Sequence, residues 1–310
     1  MCKCLYCYRP LAEGEKDIHA ACARKFFGTP VVPTLDYTIG QLDELALQVI
    51  EDQTSLTGVQ PKLSLHLNDH EGGKRLTIVG LWGAYICKPQ TELYPQLPEI
   101  EDLTMHLAEI ARIEVVPHCL MRMADGSLCY LTRRIDRTPN GDKIPMEDMC
   151  QLTERQTEYK YKSSYERIGK AILLYSSIPK MDVTNFLEVI LFSWITGNND
   201  MHLKNFSLFE PESGKVRLSP AYDLLNASII NPKDTEELAL TLNGKKSRIN
   251  KGDFFKAAEG LGLNPIIVER FCNKYKLLGP QLFQAIQGSF LSEEMKERYC
   301  NLLEDRLQKV

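Results

Sequence analysis

No stretch of about eighteen apolar residues occurs in this 310-residue chain, so no helix is expected to cross a membrane. The opening MCKCLYCYRP has no apolar core of the signal-peptide kind, and a cytoplasmic protein is the expectation. Basic excess is missing too. A formal net charge of -4 and a pI near 5.9 argue against a general nucleic-acid binder, so no direct nucleic-acid binding is expected. The sequence also lacks internal repeats, low-complexity segments and a G-x-G-x-x-G phosphate loop. Cysteine, by contrast, is plentiful. Ten Cys without an export signal read as thiols or metal ligands, not as a disulfide framework. Cys2, Cys4, Cys7 and Cys22 crowd the start, while Cys87, Cys119, Cys129, Cys150, Cys272 and Cys300 stand singly, as small buried hydrophobes do. The length is enough for a large core in about two domains.

Residues 1–28 pair Cys4-Leu-Tyr-Cys7 with His19-Ala-Ala-Cys22. Two short loops, each presenting two ligands, suit a tetrahedral structural Zn²⁺ on Cys4, Cys7, His19 and Cys22, with Cys2 as a substitute ligand. So short a segment has too little core to order itself, which a metal would explain. Residues 29–40, with Pro30 and Pro33, read as a linker, and Gln41–Glu51 has the apolar spacing of a helix face. Gly58 marks a turn before the alternating strand 63–67; it is either a loop over nucleotide phosphates or an ordinary turn. Lys88 ends an apolar strand, either as a phosphate ligand or as a snorkelling edge residue. Leu97–Ala111 reads as a helix, from which Glu99 or Glu101 could reach Lys88. Ile113–His118 and Leu128–Ile135 read as strands. The chain turns helical from Met146, with helices over Tyr165–Tyr175, Val183–Thr196, 252–261, 265–277, 280–288 and 291–308, and a polar loop at Lys160-Tyr161-Lys162.

The stretch Ile195–Leu225 carries the chemistry. Asp200 and Asn205 stand five apart, and Asp223 follows a predicted hairpin. Phosphoryl transfer to a hydroxyl needs one carboxylate for the hydroxyl's hydrogen bond, with an amide and a second carboxylate for Mg²⁺. A phosphate-side loop, Lys88, an acidic helix, a hinge near 132–137, Asp200, Asn205 and Asp223 follow one another in the order of a protein kinase. The expected fold class is α+β: a two-lobed protein-kinase-like fold. The expected domains are a zinc-knuckle-like unit over 1–28, a β-rich N-lobe over 29–135 and a helical C-lobe over 136–310.

These residues also resemble the HipA-like Ser/Thr kinases, toxins of bacterial toxin–antitoxin modules. The matching stretches are Ser55–Leu65, Cys87-Lys88-Pro89, Pro98-Glu99-Ile100-Glu101, Arg134-Ile135-Asp136-Arg137, Glu147-Asp148-Met149-Cys150-Gln151, Gly197–Phe206 and Leu218–Leu224. The resemblance implies ATP and Mg²⁺ as cofactors, with Lys88 on the ATP phosphates beneath a loop of Ser55, Thr57, Gly58, Val59 and Gln60. It implies adenine on the backbone of Arg133, Arg134 and Ile135, with Gln151 also at the nucleotide. Asp200 looks like the catalytic base, with His202 and Lys204 in its loop, and Asn205 and Asp223 look like the Mg²⁺ ligands. Ser55 and Thr57 resemble the family's regulatory autophosphorylation sites, where a phosphate would expel or reposition the loop by repulsion.

By the same resemblance the partners are a protein substrate (aminoacyl-tRNA synthetases are family targets), a small partner standing in for the family's N-terminal domain, and a DNA-binding antitoxin. The chain departs from the family in Arg133, where some relatives carry Glu, and in having only about 50 residues before the loop. Two other readings stay open: a catalytically silent interaction protein with this fold, and a small-molecule kinase on the same scaffold.

Overall fold

The computed structural model describes residues 2–42, 61–71, 73–80, 83–138 and 141–310. The expected phosphate loop, with Ser55, Thr57, Gly58, Val59 and Gln60, and the expected helix beyond Leu42 lie outside the described residues. The chain forms two compact units, Met1–Asp102 with Val116–Asp142, and Leu103–Val115 with Lys143–Val310.

The first unit is mostly sheet. Strands β1 (Leu63–His70), β2 (Gly73–Val79), β3 (Tyr85–Pro89), β4 (His118–Arg122) and β5 (Leu128–Arg133) form a five-stranded antiparallel sheet in the order β2-β1-β3-β5-β4. Alternation drives β1, in which Leu63 and Leu65 are buried and His66 is exposed. Register sets Lys88 of β3 opposite Tyr130 of β5, and Leu120 of β4 opposite the same tyrosine. Residues 29–40 are not a free linker. The Thr34 N–H donates to Lys74 O, Leu76 N–H donates back to Thr34 O, and Leu35 is buried, so this stretch runs along β2. The edge strand's unpaired amides are what recruit it.

Helix α1 (Ala20–Phe27) ends at Gly28, whose φ of 76° lets its N–H return to Arg24 O. Helix α2 (Leu97–Ile110) begins within the first unit and continues in the second.

The second unit is mostly helical. A three-stranded sheet of β6 (Met146–Asp148), β7 (Ser207–Glu212) and β8 (Lys215–Leu218), in the order β6-β7-β8, lies among α3 (Met149–Leu152), α4 (Tyr165–Tyr175) and α5 (Pro179–Thr196). Then come α6 (Ala227–Ile230), α7 (Lys251–Gly260), α8 (Ile266–Gln287) and α9 (Glu293–Gln308). Ser164 caps α4 by accepting Arg167 N–H, which fixes its start where the spacing puts it. α8 differs from the two helices expected over 265–277 and 280–288. It runs through Pro280 unbroken, with Leu282 and Ile286 fully buried on its far side. Burial of that face offsets the lost backbone bond. Among the described residues, no helix is long and apolar enough to cross a membrane.

α5 is apolar nearly all round and buried from Phe186 to Thr196 save for Glu188. It ends at Gly197, whose φ of 75° is left-handed and whose N–H returns to Ser193 O. A Cβ here would stand 2.6 Å from Asn226 Oδ1 and 2.9 Å from a Leu302 methyl. Strained backbone and crowding act together, so Gly197→Ala should lose at least about 2 kcal/mol in chemical denaturation; a loss under about 0.5 kcal/mol would contradict this account.

Candidate functional site

In the first unit, Lys88 lies on β3 and is only 3% exposed. Its Nζ meets Glu101 Oε1 of α2 at 2.5 Å and lies 5.3 Å from the centre of the Tyr130 ring. Of the two acids within reach by sequence, Glu101 is the partner. Two residues earlier, Glu99 has its carboxyl pushed up by burial. The next residue, Asp102, is also fully buried; its Oδ1 is 2.7 Å from His118 Nδ1, and its Oδ2 accepts the Tyr8 hydroxyl at 2.7 Å.

Arg133 and Arg134 have their N–H groups engaged, donating to Pro117 O and Ala84 O, and Ile135 follows at the bend. Arg134 and Arg137 clasp Asp136 at 2.6 and 2.8 Å. Burial raises the Asp136 carboxyl, but the hydrogen bond and charge of Arg134, helped by Arg137, outweigh it and hold the group below the usual range.

In the second unit, the loop after Gly197 is closed on itself. Asn205, 6% exposed, donates from Nδ2 to Asp200 O at 2.9 Å, and Asn205 N–H donates to His202 O at 3.0 Å. The spacing of five is thus the size of a hydrogen-bonded ring. Asp200 N–H donates to Asn198 Oδ1 at 3.2 Å, and Asp200 Oδ1 accepts the Tyr161 hydroxyl at 2.7 Å. Burial and the Asp200 charge push the Tyr161 phenol well up, so it stays a donor. The His202 ring is buried and packs edge-on against the Tyr161 ring, 4.9 Å between centres. Lys204 Nζ donates to Asp148 Oδ2 at 2.6 Å.

Asp148 also caps α3 by accepting Gln151 N–H, while Gln151 Oε1 accepts Asp148 N–H. The Gln151 amide oxygen is therefore engaged in the helix cap. Asp223 has a φ of 55°, a left-handed conformation that Asp tolerates better than most residues. Its neighbour Tyr222 ties this segment to the loop: the Tyr222 hydroxyl is 2.6 Å from Ser207 Oγ and donates to Lys204 O at 2.9 Å.

Asn205 and Asp223 each offer the kind of oxygen donor that a hard divalent cation takes. Asn205 spends its amide nitrogen on Asp200, which leaves its amide oxygen as an acceptor, and Asp223 adds a carboxylate. Three positioning residues were not singled out by sequence reasoning: Tyr161, Asp148 and Tyr222. Asp148 and Tyr222 lie in two of the stretches matched above, Glu147–Gln151 and Leu218–Leu224, which was the signal that could have found them.

At the N-terminus, the ligand atoms of Cys4, Cys7, His19 and Cys22 all lie within 4.8 Å of one another. Cys2 is exposed and is no member of that group. Burial and the neighbouring Cys4 push the Cys22 thiol up to about 12.

Sheet and helices together make an α+β protein with a protein-kinase-like fold. Residues 54–278 match the HipA-like C-terminal domain family, well over half of the sequence, and the chain belongs to that family. Y4dM of Sinorhizobium fredii, described as a candidate kinase, is 33% identical over 231 residues, covering 69% of this chain and 55% of Y4dM. HipA of Shewanella oneidensis, a serine/threonine-protein kinase toxin, is 27% identical over 233 residues, 64% of this chain and 52% of HipA. The chain thus spans about half the length of these two curated relatives. The solved Shewanella HipA, in complex with HipB and its operator DNA, matches with a TM-score of 0.71 at 22% identity, over 96% of this chain and 79% of that one. The kinase CtkA of Helicobacter pylori matches with a TM-score of 0.53 at 14% identity, over 79% of this chain and 93% of CtkA. Both likenesses are of fold.

Proposed function

We propose that this chain is a protein Ser/Thr kinase that transfers the ATP γ-phosphate to a protein hydroxyl and acts as a growth-inhibiting toxin. The observation that carries this reading is the buried Lys88–Glu101 pair between a sheet strand and the acidic helix, the arrangement that holds the phosphate-binding lysine in protein kinases. Structural pairing alone would not call for the Asp200–Asn205 ring and Asp223 in the same chain. Residues 29–135 would serve the nucleotide and 136–310 the transfer.

Asp200 accepts the hydrogen bond of the attacking hydroxyl and takes its proton as the oxygen bonds to the γ-phosphorus and the bond to ADP breaks. Tyr161 keeps the Asp200 carboxylate in one orientation. Asn205 and Asp223 would hold Mg²⁺, which supplies charge neutralisation at the phosphates when bound. Since the N–H groups of Arg133 and Arg134 are engaged, adenine would use their carbonyls or the main chain of Ile135.

Autophosphorylation of Ser55 or Thr57 would switch the enzyme off by placing charge beside the ATP phosphates. The HipB bound to the Shewanella protein supports a DNA-binding antitoxin as partner, and the relative described as a serine/threonine-protein kinase toxin supports a protein acceptor.

Purified protein with γ-labelled ATP and Mg²⁺ tests the reading. Label should appear on serine or threonine of the chain itself or of an added lysate protein, and Mg·ATP should raise the unfolding temperature. Absence of both overturns it.

A further inference from the structure

We propose that Cys4, Cys7, His19 and Cys22 form a structural zinc site, and that this site positions the nucleotide lysine through Tyr8 and Asp102. The second part rests on the kinase reading; the first does not.

Geometry carries the site. His19 Nδ1 lies 3.4 Å from Cys7 Sγ and 3.7 Å from Cys22 Sγ. A tetrahedron with ordinary Zn–S and Zn–N bonds has S···N edges of about 3.5 Å. The other imidazole nitrogen, Nε2, is 3.0 Å from Pro10 O. A proton on Nε2 satisfies that carbonyl and turns the Nδ1 lone pair toward the sulfurs, the outer contact by which metal-bound histidines are fixed. His19 N–H also donates to Cys4 Sγ at 3.5 Å. All four ligands come from two short loops, and all ten cysteines of the chain are free thiols. Three soft sulfurs and an imidazole select zinc over harder cations.

Docking carries the second part. Leu120 N–H of β4 donates to Leu5 O, inside the Cys4–Cys7 loop, at 3.1 Å, and Arg122 Nε donates to Asp17 Oδ1 at 2.8 Å. Tyr8 follows Cys7 with a φ of 62°, and its N–H donates to Cys4 O, so the loop fixes its direction. Its hydroxyl donates to Asp102, which lies next to Glu101, the partner of Lys88. A filled loop therefore holds the α2 turn from which Glu101 reaches the lysine.

The test begins with metal analysis of the wild-type chain, purified without chelator. About one zinc per chain is expected; less than about 0.3, or iron in its place, overturns the site. Cys22→Ser should lose the zinc, whereas Cys2→Ser should keep it; loss in both, or in neither, contradicts this ligand set. Tyr8→Phe leaves every ligand in place. It should keep zinc and raise the KM for ATP about two- to threefold with kcat little changed, because Asp102 keeps His118 and only part of the lost hydrogen bond reaches Glu101. Unchanged KM overturns the coupling and leaves the zinc site standing. If the wild type binds no Mg·ATP, the kinase reading fails and the coupling with it, while the zinc count still decides the site.

Discussion

Asp200→Asn is expected to lower phosphoryl transfer by about 10²–10⁴-fold, the range for a lost general base, with the fold and ATP affinity unchanged. The substitution is nearly isosteric. The Asn side-chain oxygen still accepts the Tyr161 hydroxyl, and the backbone carbonyl that receives Asn205 is untouched. What disappears is the carboxylate proposed to take the proton. Turnover with γ-labelled ATP, beside circular dichroism and Mg·ATP-dependent thermal shifts, measures each part. A variant of full activity would remove Asp200 from the mechanism.

Lys88→Met should have the larger effect on stability. It leaves the Glu101 carboxylate, 1% exposed, buried without its ammonium. Breaking a buried pair from one side costs about 3–5 kcal/mol, whereas replacing both partners by apolar groups is often neutral. The double variant Lys88→Met/Glu101→Leu should therefore recover most of the lost stability in urea titration, yet bind ATP no better than the single. Recovery of nucleotide binding along with stability would show that Lys88 has a packing role alone.

Much of this was legible because the signals were local. The 3.6-residue spacing delimits α4, and the Asp200–Asn205 interval appears in the sequence as a fixed number. The α+β class followed from the order of strand-like and helix-like segments. What stayed hidden depended on tertiary contacts. Glu99 and Glu101 are alike in sequence, and only the direction of α2 selects Glu101. Pro280 looks like a helix end unless the buried face beyond it is known. Residues 29–40 carry the prolines of a linker, yet an unpaired sheet edge takes them up. Tyr161 lies in a polar stretch with no periodicity, 39 positions from the aspartate it holds.

The Asn205–Asp200 hydrogen bond has one more consequence. It closes a ring of fixed size, so the proposed base and the proposed metal ligand are tied by a single distance along the chain. Such a loop can exchange Met201 or Leu203 for other residues of similar bulk, but it cannot change length: one residue added or removed would misdirect both groups at once. The β7–β8 hairpin tip, exposed around Glu212 to Gly214, carries none of the proposed site residues and should tolerate added length better. Along this lineage, substitutions would accumulate in the catalytic loop and insertions and deletions in the hairpin.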